Sequence, residues 1–248
     1  MELLRTELVT KSYQQRPIIT EISIHLDEGE MVSLLGLSGS GKTTLLNIMS
    51  GLVAPDSGHV YLAGKEITGQ PGQISYMLQK DLLLEHKRVI DNVALPLVIH
   101  GMKKQEARTK ANQYFEQFDL SGTQMLYPSQ MSGGMRQRAA LLRTYLGSEG
   151  VILLDEPFSA LDMITREQLH NWYLDIMQRI CLSTILITHD VDEAILMSDR
   201  IYLLTGSPGE IRHEIRIDVP RADRKDFNLQ PEFAAYKRRI RDTLQQAG

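Results

Sequence analysis

The chain has 248 residues, 42% hydrophobic and 23% charged, which suits one large α/β domain or one domain with a sizeable insertion. Its 27 basic and 31 acidic residues leave a net charge of −4, so the total supports no concentrated positive face and no nucleic acid is expected as a partner. One cysteine, Cys181, excludes an internal disulfide and a CxxC metal site. No run reaches the roughly 18 apolar residues that span a bilayer, and residues 89–99 are broken by Asp91, Asn92 and Pro96. With no apolar signal-peptide core at the N-terminus, the expectation is a soluble, reduced, cytoplasmic chain.

Strands are predicted first. Residues 3–9 form a short apolar run, 18–26 alternate apolar with polar, and 31–35 are continuously apolar, as in strands covered on both faces. A glycine-rich turn leads to helical spacing over 42–50, stopped by Gly51, and residues 60–62 and 74–78 return to strand. Composition changes near residue 80. Residues 89–146 read as mostly helical, punctuated by Gly101, Gly122 and the Pro128-Ser129 pair. After Gly150 come strands at 151–154, 184–187 and 201–204, with helices at 166–180 and 191–197. The tail from Pro220 is charged and then helical over 232–244, and there is no internal repeat. This is the pattern of a βαβ sheet domain interrupted by a helical insert.

Gly36-Leu37-Ser38-Gly39-Ser40-Gly41-Lys42-Thr43 fits GxxxxGK[ST] completely, after a buried-type strand and before a helix. Glycines let backbone N–H groups converge on phosphate oxygens, and the helix N-terminus adds the positive end of its dipole. Lys42 can then reach the β- and γ-phosphates, and the Thr43 hydroxyl can bind Mg²⁺. The fixed positions match by chance in roughly one chain of this length in a hundred, which sets aside a stray Gly/Ser turn. The strand at 151–154 delivers Asp155 to the sheet edge, where it can hold the Mg²⁺ shell, with Glu156 next to polarise a water. An acidic pair ending a strand is commonly an exposed turn, but beside a complete phosphate loop the chemical reading prevails. Ser132-Gly133-Gly134, flanked by Met131 and Met135, precedes this strand and opens a helix that Ser132 can cap.

With these motifs in this order, the chain resembles the nucleotide-binding subunits of ABC transporters over nearly all its length. The resemblance implies an α/β, P-loop NTPase-like fold: a mostly parallel sheet core, an N-terminal antiparallel β subdomain and an inserted helical subdomain, with ATP and Mg²⁺ as ligands. It implies an ATP-binding core over 1–80 and 147–219, a helical insert carrying the signature over 81–146, and a tail over 220–248. Ser132, Gly133 and Gly134 match the signature, which meets the γ-phosphate of ATP bound to the opposite subunit. Gln79 matches the glutamine-loop residue that links Mg²⁺ and the attacking water to the transmembrane partner. Asp162 in Ser159-Ala160-Leu161-Asp162 matches the D-loop, and His189 in Thr188-His189-Asp190 the switch histidine. Tyr13, 23 residues before the phosphate loop, matches the aromatic that stacks on adenine. Taken singly, Tyr13 is a strand residue, Gln79 a polar loop end and His189 a capped or solvated histidine; five matches in order override those readings.

The implied catalytic group is Glu156, His189, Lys42 and Gln79, and the implied metal ligands are Thr43, Gln79 and Asp155. Nucleotide contacts fall to Tyr13, Gly36, Ser38, Gly39, Ser40, Gly41, Lys42, Thr43 and Thr44, with Ser132, Gly133, Gly134 and Asp162. Two departures stand out: Met131 and Met135 flank SGG where the family usually reads LSGGQ, and Asp81-Leu82-Leu83-Leu84-Glu85-His86 follow the glutamine loop where many relatives carry proline and tryptophan. SGGMRQR, the run at 188–194 and the tail from Val219-Pro220-Arg221 to Pro231-Glu232-Phe233 look like the importer subgroup serving nitrate, sulfonates, taurine and thiamine-precursor pyrimidines. That likeness implies a second copy, a transmembrane permease and, indirectly, an extracytoplasmic solute-binding protein as partners, at the cytoplasmic face of the membrane. The alternative is a soluble ABC ATPase acting on DNA or ribosomes, although such proteins typically carry a long coiled-coil insertion or tandem cassettes and this chain has neither. Leu82, Leu83 and Leu84 are left open between permease docking and the insert's own core.

Overall fold

The computed structural model describes residues 1–159, 162–180 and 182–246; Ala160 and Leu161 of the expected D-loop, and Cys181, lie outside them. The chain opens with β1 (Glu2–Tyr13), β2 (Arg16–Ile22), β3 (His25–Asp27) and β4 (Met31–Leu35), followed by α1 (Lys42–Met49), β5 (Ser57–Leu62), β6 (Lys65–Glu66) and β7 (Ser75–Met77). Helices α2 (Val89–Val93), α3 (Leu95–Ile99), α4 (Lys104–Asn112) and α5 (Gly133–Leu146) come next. Then β8 (Val151–Asp155), α6 (Met163–Ile180), β9 (Ser183–Thr188), α7 (Val191–Met197), β10 (Arg200–Thr205), β11 (Glu210–Arg216) and α8 (Pro231–Gln246) complete the chain.

Two sheets form. One has the order β2-β1-β5-β6, with β3 also paired to β1, and its pairings are antiparallel. The other runs β11-β10-β4-β9-β8-β7, parallel throughout except for the β10–β11 pair. The continuous apolar strands sit in the middle of this second sheet, as two-sided burial requires. Along β8, Ile152 and Leu154 join the apolar cluster that includes α5 and α6 residues, while Val151 and Leu153 join the one with α1 and the antiparallel sheet. The tail packs through Phe227, Phe233 and Ile240 against Ala194 and Ile195 of α7. No helix among the described residues is long and apolar enough to cross a membrane.

Three sequence expectations need correction. Residues 18–26 are not one strand: β2 and β3 pair with different stretches of β1. Between them the buried Thr6 hydroxyl donates to the Ile22 carbonyl and accepts from the Ile24 amide, and the Ser23 hydroxyl accepts from the Leu8 amide. Side chains thereby replace ladder bonds, and the alternating pattern hides the break. The insert is less helical than its periodicity suggests, because residues 113–132 form turns and one short 3-10 segment around buried Phe115, Phe118 and Leu120. Residues 210–216, whose charge gives no strand signal in the sequence, form the edge strand β11, where charge on the outer face blocks further pairing.

The three leucines differ in burial, and only Leu83 is buried in the insert's core. Leu83 is 5% exposed in the cluster with Val89 and Val93, whereas Leu82 is 53% exposed. Arg136 and Arg143 of α5 tie this segment down: Arg136 pairs with Asp81 (2.9 Å) and Glu85 (2.8 Å), and Arg143 donates to the Leu82 carbonyl (2.8 Å). Leu83→Asp therefore costs about 3 kcal/mol or more through a buried charge, while Leu82→Asp stays within about 0.5 kcal/mol. Thermal denaturation of the two variants distinguishes them, and equal melting temperatures would contradict the packing.

Candidate functional site

After β4 the chain turns through residues 36–41 into α1, and two of its glycines are required. A Cβ at Gly36 would collide with the Leu204 carbonyl oxygen of β10, and one at Gly41, where φ is +96°, would collide with the Ile19 side chain of β2. The loop is wedged between β2 and the β10–β11 turn. Gly209 of that turn donates to the Ile18 carbonyl (2.8 Å) and accepts from the Thr20 amide (3.0 Å). No motif spacing points to Gly209. No side chain caps α1, so its first amides are open to an anion. The Ser40 hydroxyl is buried without a hydrogen-bond partner, and Ser38, Gly39 and Ser40 line a cleft of about 370 Å³.

The half-buried Thr44 follows in α1, and the Lys42 ammonium donates to the carbonyls of Gly36 (2.8 Å) and Leu37 (2.9 Å). Burial lowers its pKa, against the pull of the Glu156 and Asp155 charges. A glycine cradle, open amides, an orphaned hydroxyl and a buried cation together fit a chain of phosphates.

β8 carries Asp155 to the same end of the sheet. Its Oδ2 accepts from the Tyr76 hydroxyl of β7 (3.1 Å) and from Thr43 (3.5 Å). Burial, together with the neighbouring Glu156 charge, pushes the Asp155 carboxyl above the usual range. A divalent cation would relieve that penalty, and carboxylate and hydroxyl oxygens suit Mg²⁺. Among the described residues no group of three or more acidic, His or Cys side chains could hold a metal, so the ion would also need the nucleotide's own oxygens.

Glu156 sits one residue beyond, at φ +45°, a left-handed conformation that a non-glycine residue adopts under local constraint. Its amide donates to the Ile187 carbonyl (3.0 Å), and its carboxylate faces His189 Nδ1 (3.0 Å) on one oxygen and Gln79 Nε2 (3.4 Å) on the other. Gln79 also donates to the Ser159 hydroxyl at 3.1 Å. The structure therefore brings Gln79, Glu156 and His189 together, with Gln79 on Glu156 and Ser159 rather than on Asp155.

The remaining expected residues lie elsewhere. Ser132 caps α5 by accepting from the Met135 amide (3.3 Å), and Asp162 accepts from the Thr165 amide (3.0 Å) at the start of α6. Ser132, Gly133, Gly134 and Asp162 line a cavity of about 490 Å³ with Arg138 and Thr165, and it shares no lining residue with the phosphate-loop cleft. Tyr13 ends β1, 45% exposed, with the Lys11 ammonium 5.7 Å from its ring centroid. Its partner Arg16 starts β2, the strand that abuts Gly41.

A model of the ABC transporter family matches residues 19–159. The chain belongs to that family. This ABC ATPase is 39% identical to the formylaminopyrimidine import ATP-binding protein ThiZ of Halalkalibacterium halodurans, over 98% of this chain and 96% of that protein. It is 36% identical to the nitrate import ATP-binding protein NrtD of Synechocystis sp., over 91% of this chain and 87% of that one. Its fold superposes on the dimeric ABC transporter cassette MJ0796, also solved in a post-hydrolysis state with ADP and Pi, with TM-score 0.74 and 28% identity, covering 88% of this chain and all of that one. The sequence resemblance, the α/β P-loop fold and the ATPase activity expected from it are borne out by these matches.

Proposed function

We propose that this ABC ATPase is the ATP-hydrolysing subunit of an importer, working as a head-to-tail pair on the cytoplasmic side of a membrane permease. The separation of the two half-sites carries the reading. Within one chain, the phosphate loop and the Ser132-Gly133-Gly134 cavity are distinct, so one ATP reaches both only when a second copy supplies the signature. ATP then becomes part of the interface, its adenine on Tyr13 and its phosphates on residues 36–44. Lys42 and the Ser132 region offset charge on the transferring phosphoryl group, Glu156 orients and accepts a proton from water, and His189 and Gln79 hold Glu156 in place. Thr43 and Asp155, with Gln79 beside Glu156, would hold Mg²⁺, which would supply charge neutralisation.

The core over 1–80 and 147–219 binds nucleotide, the insert over 81–146 carries the signature and transmits closure, and the tail over 220–248 packs on α7. Kinship with ThiZ and NrtD supports a small anion or heterocycle as solute, delivered by an extracytoplasmic binding protein. Purification of the tagged chain from its native membranes, with mild detergent, tests the reading: an integral membrane permease co-purifies, and Mg-ATP shifts the isolated subunit toward a dimer on sizing. Retention on DNA or ribosomes without a permease would overturn it in favour of a soluble ABC ATPase.

A further inference from the structure

Behind His189 lies a buried polar network that the hydrolytic reading leaves unused. Thr188 ends β9 immediately before His189, and its hydroxyl works in two directions. It donates to Glu193 Oε2 of α7 (2.7 Å) and accepts from the Asp190 amide (3.0 Å), bridging the residues on either side of the histidine. Asp190 in turn caps α7, accepting from the amides of Asp192 (2.8 Å) and Glu193 (3.2 Å). The second oxygen of Glu193 is buried without a hydrogen-bond partner, as is His170 Nε2 of α6, and the two face each other across 3.8 Å. The His170 ring packs edge-on against Phe158, two residues past Glu156, with centroids 4.7 Å apart.

We propose that Glu193 is a positioning residue for ATP hydrolysis, holding the switch loop through Thr188 so that His189 stays on Glu156, with its other oxygen facing His170. The inference rests on the roles proposed above for His189 and Glu156. Burial pushes the Glu193 carboxyl up to about 7, and burial pushes His170 down to about 4. Burial therefore disfavours charge on both facing groups, whose two buried atoms stand 3.8 Å apart without a hydrogen-bond partner. Asp190 and Arg166 flank the pair, their ion pair spanning 3.8 Å, and Lys237 of α8 is drawn off to Asp192 at 2.7 Å. The network reaches His189 through its chain neighbours Thr188 and Asp190, so it acts on the geometry of the histidine.

Steady-state ATPase assays on the full-length chain test this. Glu193→Ala and Thr188→Val each lower kcat about tenfold or more while KM for ATP stays within about twofold, the split expected of lost transition-state positioning. Glu193→Gln keeps kcat within about threefold, because its amide oxygen can still accept from Thr188. The double variant Thr188→Val/Glu193→Ala is no slower than the worse single one, because both remove the same bond. Additive losses, a Glu193→Gln enzyme as slow as Glu193→Ala, or Thr188→Val at the wild-type rate would each overturn the proposal; the last two variants keep it testable if Glu193→Ala fails to fold. His189→Ala is the reference. If it turns over ATP normally, the role given to His189 fails; if it is inactive while Glu193→Ala is normal, only the present inference fails.

Discussion

Glu156→Gln lowers ATP turnover by about a hundredfold or more, the scale of lost general-base catalysis, while Mg-ATP binding survives. The amide keeps the size and the hydrogen-bonding reach of the carboxylate toward Gln79 and His189, which lie 3.4 and 3.0 Å from its two oxygens. It cannot take a proton from water. Unhydrolysed ATP then stays between two subunits, and sizing with Mg-ATP shows a stable dimer that the wild-type chain forms only transiently. A Glu156→Gln protein that hydrolyses ATP at the wild-type rate would remove Glu156 from the reaction. The backbone at this residue is left-handed, so Glu156→Gly, which relieves that conformation, separates loss of the carboxylate from any loss of strain.

Lys42→Ala weakens ATP binding by about a thousandfold, the equivalent of losing two hydrogen bonds to charged phosphate oxygens at about 2 kcal/mol each. Its ammonium is buried between the loop carbonyls of Gly36 and Leu37 and within the field of Asp155 and Glu156. Tyr13→Ala is milder, because base stacking contributes about 1–3 kcal/mol and the ring here stands on an exposed strand end. Calorimetric titration with Mg-ATP ranks the two variants. The reverse order would mean that adenine stacking, rather than phosphate charge, dominates affinity.

Much of this site is legible from local sequence because its parts are local. The phosphate loop is a continuous turn between a strand and a helix, and Asp155 ends a strand whose five residues are all buried, with Glu156 next. Ser132 is recognisable as a helix cap from the residues beside it, and the observed bond to the Met135 amide agrees. The apolar runs likewise determine that the central strands lie between two layers, since a backbone apolar on both faces has no stable place at a surface.

Tertiary structure alone decided what spans the chain. Gly209 supports a loop about 170 residues earlier in the sequence, and only the pairing of β2 with that turn reveals why a side chain there would clash with the Ser40 carbonyl. Tyr76 meets Asp155 because β7 joins the sheet beside β8, an adjacency that strand periodicity cannot specify. Leu82 and Leu83 have the same chemistry in sequence and opposite environments in the fold, since the left-handed turn at Leu82 sends neighbouring side chains to different sides. Thr188, Glu193 and His170 carry no motif of their own as a group; they become a network because α6 and α7 pack together beneath the switch loop. Local pattern determines which segments become strands, helices and phosphate turns, because those depend on near-neighbour sterics and hydrogen bonds. Which of them meet is settled by burial and long-range pairing, and there the site acquires its supports.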